Sequence, residues 1–140
     1  MKGLAALIRL HSWRLDEKRR ELADLQRLED QLLADAQRLE AEMAAEQEFA
    51  AKNSDTGAFS YGGFAIGVIE RRKRIAASIA EVRRRIEDKR AEVAESFQEL
   101  KRYEITQAER KKRQQAAASR RTQIELDEIS LEQYLRRAKD

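Results

Sequence analysis

The chain has 140 residues, 39% of them charged and 6% aromatic, with no proline and no cysteine. That composition excludes a globule built on a large aromatic core, a disulfide framework and any thiolate metal site. The formal net charge of +3 is unevenly spread: residues 1–70 hold 9 Lys/Arg against 13 Asp/Glu, net −4, and residues 71–140 hold 20 against 13, net +7. Halves so charged attract each other and leave positive charge over for an acidic partner. The absence of cysteine fits a reducing compartment. The opening MKGLAALIRLHSWRL has an apolar patch too short for an anchor and no small-residue cleavage pattern, so the expectation is a soluble, cytoplasmic protein.

The first element expected is a helix over about residues 4 to 52. Its stripe runs through Leu4, Ile8, His11, Leu15, Lys18, Leu22, Leu25, Glu29, Leu32, Ala36, Leu39 and Met43. Steps of four and three in alternation make this the seam of a two-stranded coiled coil. Its polar members His11, Lys18 and Glu29 weaken the seam and are suited to fixing register. Leu28 and Leu33 widen the stripe in mid-arm.

Residues 53 to 63, NSDTGAFSYGG, carry three glycines with Asn, Asp and Ser, and are expected to form the bend. Ser60 is placed to cap the second helix. Phe59, Tyr61 and Phe64 set three aromatics at one tip, where they either plug the seam or form a docking knob. With the fold-back centred on Ala58, residue i of the first arm faces roughly residue 116 − i of the second.

The second helix is expected over about 64 to 138. Val68, Ile75, Ile79, Val82, Ile86, Val93, Leu100 and Tyr103 keep the heptad spacing, with Lys89 and Ser96 as polar interruptions. A Leu-rich seam against an Ile/Val-rich one packs well, so the fold class expected is all-α, an antiparallel two-helix coiled coil, with left-handed supercoiling. The second helix outruns the first: beyond about Lys112, some 26 residues, roughly 39 Å, have no internal partner. Strong apolar residues almost vanish in EITQAERKKRQQAAASRRTQ, then return as Ile124, Leu126, Ile129, Leu131, Tyr134 and Leu135. Such a cluster on an overhang reads as a helix meant for another surface, either a partner's groove or a second copy.

Catalysis is not expected. A two-helix hairpin encloses no water-excluding pocket, His11 lies on the seam, and no HExxH, GxGxxG or GxxxxGK[ST] pattern occurs, so neither cofactor nor metal is implied. The runs Arg71-Arg72-Lys73-Arg74, Arg83-Arg84-Arg85 and Arg110-Lys111-Lys112-Arg113 point around the helical cylinder and form no single patch. A zipper-type DNA reader is disfavoured for the same reason. Two other classes stay open from the residues: a basic nucleic-acid-associated coiled coil, and a structural homo-oligomer.

The order of MKGLAALIRLHSWRLDEKRREL, a Gly-containing loop, GVIERRKRI, FQELKRYEI, a basic stretch and LDEISLEQYLRR resembles the FliJ family over essentially the whole chain. These are small cytoplasmic proteins of the bacterial flagellar type III export apparatus, related to the YscO-type proteins of injectisomes. The resemblance implies an antiparallel coiled coil similar to the stalk of the rotary ATPase γ subunit. It implies that the end holding both termini inserts into the hexameric export ATPase, and that the hairpin end contacts the cytoplasmic domain of the export gate protein. Peripheral association with the inner membrane and contact with export chaperones would follow, without nucleic acid or membrane insertion. Carried over by position, the ATPase-facing set is Arg110, Lys111, Arg113, Arg120, Arg121, Leu131, Tyr134 and Arg136, and the gate-facing set is Phe49, Val68, Arg72 and Ile75. The chain departs from the family pattern in having fewer aromatics in its first arm.

Overall fold

The computed structural model describes residues 2–139 except 54–56, and side chains except those of Lys2 and residues 57–61. Two helices account for it: α1, Lys2–Lys52, and α2, Gly57–Lys139. Contacts divide the chain into two compact units, Arg14–Ser96, and Met1–Trp13 together with Phe97–Asp140.

Within Arg14–Ser96 the helices run antiparallel. Leu15 and Leu39 on α1 and Val68, Val82 and Ile86 on α2 are buried, Val68 completely. Every other seam position expected in this span is half-buried, apart from Ser96, which is buried. Glu29 and Lys89 lie on the seam but reach its edge, where Arg83 Nε donates to Glu29 Oε2 at 3.0 Å and Lys89 Nζ to Glu21 Oε2 at 2.6 Å. With Arg72 on Glu40 and Arg71 beside Glu42, these cross-helix pairs all set an α1 glutamate against an α2 cation. Part of the opposed charge of the two arms is thus used in their pairing.

Within the other unit the antiparallel arrangement recurs. The His11 ring stacks on Tyr103, centroids 4.7 Å apart, and its Nδ1 lies 3.6 Å from Glu99 Oε2. Leu100 is buried, and Leu4 and Ile8 are half-buried. The fold is therefore the all-α antiparallel hairpin that the seams predict.

Two expectations are corrected. The second helix starts at Gly57, so Gly62 and Gly63 are helical and the stretch expected as bend is largely helix. A helical glycine costs about 1 kcal/mol, a penalty that continued helix formation outweighs and that no positive φ relieves here. Ser60 accordingly sits inside α2, not at its cap. Of the rest of the expected bend, Asn53 is non-helical, and residues 54–56 lie outside the described residues, as do the side chains of Phe59 and Tyr61. The register also shifts back from the expected relation: Glu40 meets Arg72, where it gives residue 76, Glu29 meets Arg83, where it gives 87, and His11 stacks on Tyr103, where it gives 105. An earlier start for α2 shortens the link and draws its residues back along α1.

Candidate docking surfaces

From Lys111 to Lys139 every described residue of α2 is exposed, roughly 43 Å of helix at about 1.5 Å per residue. Its sequence sustains that state locally. Ala116, Ala117 and Ala118 with Arg, Lys and Gln are strong helix formers, and Thr122 satisfies its hydroxyl by donating to Ala118 O at 3.0 Å. Arg136, Arg137 and Lys139 place cations at the negative end of the helix dipole. Ile124, Leu126, Ile129, Leu131, Tyr134 and Leu135 are all more than half exposed.

The paired seam opens where α1 begins. Leu4 with Gln107, Arg110, Lys111 and Gln114 lines a shallow groove there. Of the positions expected to face an ATPase, Arg110, Lys111 and Arg113 line that groove, with Arg110 half-buried. Arg120, Arg121, Leu131, Tyr134 and Arg136 lie beyond it, exposed. At about 100° per residue, Arg113, Arg120, Leu131 and Tyr134 share one side of the helix, while Lys111 and Arg136 lie on the opposite one. The set is a strip with outliers.

In the Arg14–Ser96 unit the four gate-facing expectations fare differently. Arg72 grips Glu40 with Nε donating to Oε1 at 2.5 Å and Nη2 to Oε2 at 2.6 Å, and Nη2 also meets Met43 Sδ at 2.8 Å. That hydrogen bond holds the Glu40 carboxyl below the usual carboxylate range. Arg72 and Ile75 line a shallow groove with Leu33, Ala36, Leu39 and Ile79. Phe49 is well exposed on α1. Val68 has no accessible surface, so its side chain packs the seam and touches no visitor.

Sequence reasoning passed over Ile66 and Ile69, 67% and 47% exposed beside Val68. It also passed over Leu7, Leu10 and Trp13, which are exposed on α1. The signal was available: each is a large apolar residue off the heptad stripe. Among the described residues there is no group of His, Asp or Glu that could hold a metal, and no helix long and apolar enough to cross a membrane.

A family model described as flagellar FliJ protein matches residues 1–139. The chain belongs to the FliJ family. The match spans both helices and the exposed tail, and places the chain among components of flagellar type III protein export. The FliJ family is a structural one within that apparatus. Neither a curated protein nor a solved structure matches the chain.

Proposed function

We propose that this FliJ-family chain is a stalk that engages the hexameric export ATPase through its tail and couples the ATPase to the cytoplasmic domain of the export gate. The observation that carries the proposal is the tail itself: a helix exposed throughout from Lys111, bearing an apolar cluster at 124–135 that no part of the described chain covers. Exposed apolar residues in such density serve an interface. In this reading Arg110, Lys111, Arg113, Arg120 and Arg121 meet acidic surface of the ring, and Leu131 and Tyr134 enter its apolar interior with Arg136 at the rim. Phe49 and the Arg72–Ile75 groove receive the gate, Val68 holding the seam behind them and Ile66 and Ile69 extending the apolar area. Both contacts would hold the protein at the cytoplasmic face of the inner membrane.

The test is ATP hydrolysis by the same organism's export ATPase with and without this protein, alongside a version truncated after Gln123. Stimulation by the full chain, lost on truncation while circular dichroism still reports the hairpin, supports the stalk. Stimulation that survives truncation overturns the tail assignment.

A further inference from the structure

The seam that packs against α1 does not stop where α1 does. Counting on from buried Leu100 and half-buried Tyr103 by alternating fours and threes gives Gln107, Arg110, Gln114, Ala117, Arg121, Ile124, Glu128, Leu131, Leu135 and Ala138. The exposed Ile124, Leu131 and Leu135 therefore continue in phase the stripe already used for pairing. The groove beside Leu4 opens onto that stripe.

The charges along it fall into two blocks. Residues 110–121 hold six cations, Arg110, Lys111, Lys112, Arg113, Arg120 and Arg121, and no acid; residues 122–135 hold four acids, Glu125, Asp127, Glu128 and Glu132, and no cation. At coiled-coil flanking positions this puts Lys111, Arg113 and Arg120 in one block and Glu125, Asp127 and Glu132 in the other. Among the described residues of the tail these charges find little of each other: Arg113 pairs with Glu109 at 3.8 Å, and Gln123 donates to Asp127 at 3.0 Å.

We infer that the tail takes a single helix of another protein along this seam, one that is acidic opposite residues 110–121 and apolar with basic flanks opposite residues 124–135. The inference rests on the reading of the tail as a docking element and specifies the chemistry of what docks. A second copy of the chain fails on charge or on packing. Paired parallel in register, it sets Arg110 on Arg110, Arg121 on Arg121 and Glu128 on Glu128. Paired antiparallel with Ile124 against Leu135, it sets Glu125 against Glu132 twice. Shifted so that Arg120 meets Asp127 and Lys111 meets Glu132, it sets Leu135 against Arg110 and Leu131 against Gln114, with no apolar layer left. Nucleic acid fits the basic block alone, because a duplex carries about one phosphate per 1.7 Å and would run on over four carboxylates.

The probe is a synthetic helical peptide with Leu at seam positions, Glu at the flanks of one half and Lys at those of the other, so that either direction of binding satisfies both blocks. Its control has the same composition with Glu and Lys alternating. Fluorescence anisotropy with the full chain should give the blocked peptide about ten-fold tighter binding than the control. The quadruple variant Arg120→Glu, Arg121→Glu, Glu125→Lys and Glu128→Lys, at exposed positions, should lose that preference and keep the hairpin's helicity. Equal affinity for the two peptides overturns the inference, as does displacement of the blocked peptide by duplex DNA. A concentration-dependent dimer of the full chain in sedimentation equilibrium overturns it too. ATPase stimulation measured on the same samples separates the two readings: stimulation without peptide preference sinks this inference alone, and preference without stimulation supports it while sinking the ATPase assignment.

Discussion

The imidazole of His11 stacks on the ring of Tyr103, with 4.7 Å between centroids and 27° between planes. A histidine at a seam position would ordinarily weaken a coiled coil. Here the opposite helix supplies a flat aromatic face, so the ring contributes as an aromatic and its side chain is only 12% exposed. Stacked pairs contribute about 0.5–1.5 kcal/mol beyond the area they bury. A double-mutant cycle of His11→Ala and Tyr103→Ala, read by urea denaturation, should return a coupling energy of that order. A coupling near zero would mean that the two rings are only neighbours.

Gly62 and Gly63 lie inside α2, and a Cβ added at either position meets nothing within 4 Å. Neither has positive φ. Alanine should therefore stabilise the protein, since it removes chain freedom from the unfolded state and costs no contact in the folded one. The expected gain is about 0.5–1 kcal/mol for each substitution, seen as a raised thermal midpoint. Were these residues in a bend, alanine would be neutral or harmful, so the direction of the change checks where α2 begins.

The seams were legible because a buried stripe leaves a period in the sequence. Leu15, Leu39, Val68, Val82, Ile86 and Leu100 all stand at heptad positions and all are buried. The exposure of the tail was legible too, from the mismatch in helix lengths. The bend was not. Glycine density signals weakness in a helix but does not say whether the chain breaks there, because each penalty is small against the cooperative gain of continuing. The slip in register goes with that one misplacement. Val68 and Arg72 show a different limit on reading sites by position: Val68 is spent on the seam and Arg72 is clamped by Glu40, while Ile66 and Ile69 beside them carry the exposed apolar area.

Ile86 and Leu131 offer the same chemistry in opposite settings, 4% and 58% exposed. Ile86→Ala leaves a gap between two helices and should cost roughly 2–5 kcal/mol, nearer the lower figure because a two-helix seam collapses more readily than a deep core. Leu131→Ala removes no packing and should leave the denaturation midpoint almost unchanged, while on the proposed stalk reading it weakens binding to the export ATPase. Urea melts paired with a binding assay distinguish the two. A large stability loss from Leu131→Ala would show that the tail is packed in solution against some part of the chain.

Lys89 donates to Glu21 and lies 2.6 Å from Glu92 Oε2, and these carboxylates push its pKa up, the hydrogen bond to Glu21 first. Its contribution to stability is present below the unfolded pKa of about 10.4 and is lost as pH rises through the higher folded value. Glu40, Glu81 and Glu92 run the other way, each lowered chiefly by a hydrogen bond, from Arg72, Arg84 and Lys89 respectively. Their contribution is present above about pH 4.3 and is lost as pH falls through the depressed folded values. Stability should therefore hold a plateau between these limits, with a shallow acid limb and a separate alkaline one, both reduced by added salt because the pairs are at the surface. Lys89→Met should flatten the alkaline limb and retain the part of the acid limb that Glu40 and Glu81 provide. Urea midpoints measured across that range for both proteins test it, and an alkaline limb unchanged in Lys89→Met would assign that loss to another group.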